Sequence, residues 1–240
     1  MADAYLECPP RWKRGTLEPD PTKGMIARVG SGSTPETGVD EFWDGTIPWL
    51  TPKEIASRAD VPIVSETERL LTEEGRKDSS LTLYPPVAVM LTKRAPVGSV
   101  AINSVPMATN QGFLNFTCGP ELRPVYLAYW LTVNRPYLDL VANGSTYPEL
   151  YPSDLFEFEI AVPPPKEQDE IVDLLVSLRY VLHTGFALEQ SARDFAEILR
   201  IRLENKGILE MRDELLPHLF SGHITPSEVV RMLRPQRRPA

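Results

Sequence analysis

The chain has 240 residues, of which 42% are hydrophobic, so it can bury the core of one good-sized domain and still carry an extension. It contains no run of about 18 apolar residues, and its first residues lack a basic segment followed by an apolar one; neither a membrane span nor a signal peptide is expected, and the expected location is the cytoplasm. The formal charge of −8 argues against a uniformly basic surface, although the cations cluster in Arg11–Arg14, Arg76–Lys77 and Lys93–Arg94, and Arg231, Arg234, Arg237 and Arg238 lie in the last ten residues.

Residues 1–50 are rich in turn formers, with Pro9-Pro10, Pro19-Asp-Pro21 and then a short strand over Met25–Val29. That strand runs into Gly30-Ser-Gly-Ser-Thr-Pro35. A phosphate cradle would need Lys-Ser or Lys-Thr after its last glycine and a helix behind it, and Pro35 stands there instead, so this is a loop. In Glu41–Ile55 the pair Asp44-Gly45 signals a turn, and Phe42, Trp43 and Trp49 read as core rather than as platforms for bases. Thr51-Pro-Lys-Glu54 has the spacing of a capping box and opens a short helix with Lys53 in its exposed first turn.

Val61–Val64 predicts an edge strand, and Thr72 caps a brief helix ending before Asp78-Ser79-Ser80. Val87–Leu91 and Val97–Ile102 form a hairpin whose tip, Thr92-Lys-Arg-Ala-Pro96, is basic. Asn110-Gln-Gly-Phe113 leads into a strand over Phe113–Phe116. Helices follow from Pro124 and from Pro136, the second capped by Asn143-Gly144, then a turn-rich segment Gly144–Leu150 and a closing strand over Phe158–Val162.

Pro163-Pro164-Pro165 marks a boundary. The prolines lack N–H donors and hold extended backbone, the last can occupy the first helical position, and Lys166–Glu170 places carboxylates at the positive end of a helix dipole. From there Ile171, Leu174, Leu178, Val181, Gly185, Leu188, Ala192, Phe195 and Leu199 recur at steps of three and four, a coiled-coil seam. The row slips between Leu199 and Ile201. A helix from Lys166 to Asn205 would be roughly 60 Å long, and an apolar stripe of that length calls for a partner helix. The expected fold class is α+β: a β-rich domain over residues 1–165, a helical spacer and dimerisation arm over 166–222, and a basic flexible tail over 223–240.

Catalytic arrangements are missing. Cys8 and Cys118 have no CxxC partner, and His183, His218 and His223 have no metal-ligand spacing, so no metal site is expected. Asn134-Arg-Pro-Tyr137 departs from the amine-holding Asn-Pro-Pro-Tyr tetrapeptide at Arg135, and Glu204-Asn-Lys206 lies on the helical arm without an acidic partner. With no Ser/His/Asp or Cys/His set either, the chain is not expected to be an enzyme.

The collinear set Gly32-Ser-Thr-Pro35, Phe42–Thr51, Thr92–Ile102, Asn110–Phe113, Gly144-Ser-Thr146, Pro163–Gln168 and Arg212–Gly222 resembles the DNA specificity subunit of type I restriction-modification systems. The resemblance implies a target-recognition domain that reads part of a split duplex DNA site, and helices that space it and hold methyltransferase subunits, with a restriction or translocase subunit as a further partner. S-adenosylmethionine, ATP and Mg would then be bound by those partners and none by this chain. Family members usually carry two recognition domains and two helical segments. This sequence has one of each, which implies a half-subunit that pairs with itself through Ile171, Leu174, Leu178, Val181, Leu188, Phe195 and Leu199, or with a different half-subunit. Lys53, Lys93, Arg94, Thr146 and Tyr147 are the expected DNA contacts. Two alternatives remain: a helical adaptor of the same descent that binds protein and reads no DNA, and a self-contained methyltransferase or nuclease.

Overall fold

The computed structural model describes residues 9–20, 22, 24–56, 61–142, 148–156 and 158–184, with side chains as far as residue 176. Thr146, Tyr147, the Asn143-Gly144 cap, the seam side chains from Leu178 onward, the arm beyond Thr184 and the basic tail lie outside the described residues. The chain divides into two compact units, one of Arg14–Val162 and one of Met1–Lys13 with Pro163–Ala240.

The strands of the larger unit follow the apolar runs of the sequence. β1 (Lys13–Thr16) is followed by β2 (Ile26–Ser31), β3 (Trp43–Leu50), β4 (Ile63–Val64), β5 (Leu70–Leu71) and helix α1 (Glu73–Asp78). Then come β6 (Val89–Thr92), β7 (Val100–Asn103), β8 (Ala108–Thr109), β9 (Phe113–Cys118), α2 (Pro124–Val133), α3 (Arg135–Val141), α4 (Pro152–Phe156) and β10 (Glu159–Val162). They make a five-stranded sheet of order β2-β9-β6-β7-β4, a three-stranded sheet β5-β3-β8 and a two-stranded ribbon β1-β10. The unit is α+β.

The hairpin predicted from Val87–Ile102 is the centre of the large sheet. β6 pairs antiparallel with β7 on one side and with β9 on the other. Every residue of β6 and β7 is buried, which explains why these strands are apolar up to their last residues, Thr92 and Asn103, instead of alternating. α2 packs on β6 and β7 and buries Tyr126, Leu127, Ala128, Trp130 and Leu131, so it too is apolar nearly all round. Toward the small sheet, a cluster of Leu50, Ile55, Val64, Tyr84, Met90, Met107 and Phe113 fills the core.

Local signals hold at the helix ends. The Thr72 hydroxyl accepts the Gly75 N–H at 3.1 Å and starts α1. At Thr51 the Glu54 carboxylate accepts both the backbone N–H and the hydroxyl at 2.7 Å, closing a 3-10 turn over Pro52–Glu54 where a short helix was expected.

Asp44-Gly45 is a correction. It does not turn the chain between two elements but forms a bulge inside β3, where Trp43 and Ile47 both face Leu71 of β5. Asp44 takes a left-handed φ of 58°, and a Cβ on Gly45 would stand 2.3 Å from the Leu71 carbonyl oxygen, so this pair of residue types serves the bulge as well as it serves a turn.

In the smaller unit α5 spans Pro165–Thr184 with the third proline of the run as its first residue. The Gln168 amide donates to the Pro163 carbonyl at 2.8 Å, and Glu167 accepts from Arg11 at 2.7 Å and from the Trp12 indole at 3.2 Å. Ile171 and Leu174, the first two positions of the apolar row, are buried within one chain, as is Leu175, whereas Val176 is exposed.

Candidate nucleic-acid interface

Antiparallel registry collects loops at one end of the large sheet. Ser31, the last residue of β2, lies opposite Leu114; Thr92, the last of β6, lies opposite Phe113; and Leu91 lies opposite Val100 at the start of β7. The loop after β2, the hairpin tip 93–99 and the turn 110–112 therefore leave from the same edge. β3 ends there as well, because it runs parallel to β8 with Leu50 beside Thr109.

These loops are tied to one another. The Asn110 side chain accepts the Gly112 N–H at 2.8 Å and shapes the turn, whose backbone begins with an Asn110 N–H donated to Leu50 at 3.0 Å. A Cβ on Gly112 would stand 2.7 Å from Pro52, so the turn that carries Lys53 packs against this one. The Lys93 N–H donates to the Gly112 carbonyl at 2.8 Å, and the Leu150 N–H donates to the Lys93 carbonyl at 2.9 Å, which brings the chain after the turn-rich segment to the same place.

The Gly-Ser-Thr-Pro loop is held by the tryptophans. The Trp49 indole donates to the Ser33 carbonyl at 3.1 Å and the Trp43 indole to the Glu36 carbonyl at 3.2 Å. Both rings are buried and meet edge to face, 5.2 Å between centroids, so they are core, as their sequence context indicates. A Cβ on Gly32 would stand 2.0 Å from the Thr109 carbonyl oxygen; only glycine lets the loop approach the turn this closely. At the contact the Thr34 hydroxyl donates to the Gln111 side-chain carbonyl. With that oxygen engaged, the exposed Gln111 presents its amide N–H groups, a donor suited to phosphate or base acceptors.

The hairpin tip is built before it is charged. The Thr92 hydroxyl donates to Pro96 at 2.6 Å and accepts the Ser99 N–H at 2.9 Å, closing the loop from inside. On it Lys93 and Arg94 share one acid: Glu149 Oε1 lies 2.9 Å from Lys93 Nζ and Oε2 lies 3.3 Å from Arg94 Nη1. Hydrogen bonding from Lys93, aided by both positive charges, holds the Glu149 carboxyl below its ordinary pKa despite the opposing effect of burial. The Lys93 side chain is only 15% exposed and Arg94 is 41% exposed. Of the expected contacts, then, Lys53 and Arg94 face solvent, Lys93 is largely covered, and Thr146 and Tyr147 are outside the described residues. Gln111 and Glu149 stand at the same loop end; the sequence shows the first only within the motif Asn110-Gln-Gly-Phe113 and does not single out the second.

Known proteins resemble this chain in sequence and in fold. The family model described as type I restriction modification DNA specificity domain matches residues 24–185. The chain is 42% identical over 152 residues to the MjaIX specificity subunit of Methanocaldococcus jannaschii, covering 62% of this chain and 35% of that protein. It is 27% identical over 161 residues to the EcoR124I/EcoR124II specificity subunit of Escherichia coli, covering 64% of this chain and 39% of that protein. In fold it is similar to a chain of a type I R-M system solved for its complex assembly and conformational transition, with a TM-score of 0.56, 20% identity and coverage of 91% of this chain and 48% of that one. It is also similar to the HsdS subunit from Thermoanaerobacter tengcongensis, with a TM-score of 0.54, 18% identity and coverage of 91% and 47%. The aligned part thus amounts to less than half of each of these relatives. One family model accounts for more than half of the chain, from the first strand of the large sheet into α5, and the protein belongs to the type I restriction modification DNA specificity domain family.

Proposed function

We propose that the chain is the non-catalytic DNA reader of a type I restriction-modification system and recognises one half of a bipartite duplex site through the loop end of its large sheet. The observation that carries the reading is the convergence there of the loop after β2, the Lys53 turn, the basic hairpin tip and the Asn110–Gly112 turn. Backbone amides, Lys53 and Gln111 would fix register on phosphates, and Arg94 would meet base edges in the major groove, where each base pair presents a distinct pattern. S-adenosylmethionine chemistry, and ATP and Mg-dependent cleavage or translocation, belong in this reading to partner subunits. A second copy of the chain, or a different half-subunit, would supply the other half-site; with two identical copies the target is a split palindrome. Ile171 and Leu174 are covered in one chain, so pairing would rest on the row Leu178, Val181, Leu188, Phe195 and Leu199.

The test is recovery of the tagged chain from its host with native mass measurement, followed by mapping of methylated bases in host DNA. The expected result is a methyltransferase at two copies per two copies of this chain and a split methylated motif that disappears when the gene is deleted. A complex with unrelated proteins and unchanged methylation on deletion would leave the adaptor reading instead.

A further inference from the structure

We infer that Glu149 sets the discrimination of this surface between correct and incorrect DNA, as a positioning residue acting through Lys93 and Arg94. The inference rests on the DNA-reading function proposed above. One carboxylate uses its two oxygens on two different cations, at 2.9 Å and 3.3 Å, and is itself only 19% exposed. Its backbone is fixed by a bridge to Arg94 and by the adjacent Leu150 N–H on the Lys93 carbonyl. The main chain of Glu149 is therefore held beside the tip, which keeps its carboxylate within reach of both cations.

Two adjacent cations on an unrestrained loop would grip any phosphate they met, because that attraction carries no sequence information. Glu149 changes this in two ways. It cuts the tip's net charge from two positives to one, and it repels a phosphate that approaches the same donors. It also holds Nη1 of Arg94, so the rest of the planar guanidinium fork projects in one direction. Selectivity is a difference between two affinities, and a group that weakens wrong binding more than right binding raises it. Lys93, mostly covered, acts as the inner anchor of the carboxylate, leaving Arg94 as the outward reader.

The experiment uses the full chain in complex with its host methyltransferase and compares wild type with Glu149→Gln, which keeps the size but removes the charge and replaces one acceptor oxygen with an NH2 donor. Affinity is measured for a duplex carrying the motif methylated in the host and for a scrambled duplex of equal length, from about 50 to about 200 mM salt. Glu149→Gln is expected to bind the scrambled duplex several-fold more tightly, to steepen the logarithmic salt dependence by about 0.9 for each phosphate newly engaged, and to lower the ratio between the duplexes on the order of tenfold. Adding Arg94→Gln should return the scrambled affinity toward wild type. Lys93→Gln with Glu149→Gln frees Arg94 without leaving a covered lysine unpaired, and should still bind scrambled DNA more tightly than wild type. Wild-type ratio and slope in Glu149→Gln, or an equal loss on both duplexes at unchanged slope, would overturn the inference while leaving the proposed function intact. A wild-type complex with no preference between the duplexes would overturn the proposed function itself, and this inference with it.

Discussion

The Arg69 guanidinium lies 3.3 Å over the ring of Trp43. The same cation is 5.9 Å from the ring of Trp49, so one arginine covers the two indoles whose N–H groups hold the loop after β2. Arg69→Ala is expected to lower unfolding free energy by about 1 kcal/mol, the size of a cation–π contact at an exposed position, and urea unfolding followed by tryptophan fluorescence would measure it. A Lys replacement should recover part of the loss; equal losses for Ala and Lys would mean that the flat stacking, which Lys cannot supply, accounts for the whole effect.

A larger loss is expected at Asn103. Its side-chain carbonyl accepts the Ala88 N–H at 2.8 Å, and its amide donates to the Pro85 and Val105 carbonyls at 2.8 Å, all with the residue fully buried. Asn103→Leu keeps the branched shape, is larger, and strands three backbone groups in the core, at a cost of about 3 kcal/mol by denaturant unfolding. A change below about 1 kcal/mol would show that water reaches those groups.

The pH dependence follows from Glu149. Its folded pKa is depressed by Lys93 and Arg94, so its contribution to stability is complete above the ordinary carboxyl value of 4.5 and is lost as pH falls through the lower folded value. Unfolding free energy measured between about pH 6 and pH 3 should fall less steeply in Glu149→Gln than in wild type, and parallel curves would contradict the assigned ion pairs.

Cys118 should be inert. Burial pushes its thiol up to about 12 from 9.0, which lowers the thiolate population near neutral pH by roughly a thousandfold. In a Cys8→Ser background, modification by a disulfide reagent at pH 8 is expected to be slower than that of a free thiol by about that factor, and to become fast on unfolding in urea. Rapid labelling of the folded chain would show that the sulfur opens to solvent.

Gly32→Ala tests the loop cluster. The added Cβ meets two carbonyl oxygens, of Thr109 at 2.0 Å and Asn110 at 2.3 Å, so the loop after β2 must lift from the Asn110–Gly112 turn. Melting should drop by several degrees, as expected for a loss of about 1–2 kcal/mol, and the assembled complex should lose affinity for its target. An unchanged affinity with lowered melting would place that loop outside the DNA surface.

The sequence by itself determined what depends on near neighbours. Continuous apolar runs specified the central hairpin because its strands are buried on both faces, Thr51 and Thr72 announced their own turns through side chains three residues from their targets, and the proline run fixed where α5 begins. It also showed Lys93 and Arg94 as adjacent cations. Only the tertiary structure decided what those cations do, because the acid that pairs with Arg94 is 55 residues away in the chain and no spacing rule links them. The same holds for Thr34 and Gln111, 77 residues apart, and for Asp44-Gly45, which is a bulge because β5 pairs across it. Local geometry is written in the order of residues; the partners of a charge are chosen by which strands lie side by side.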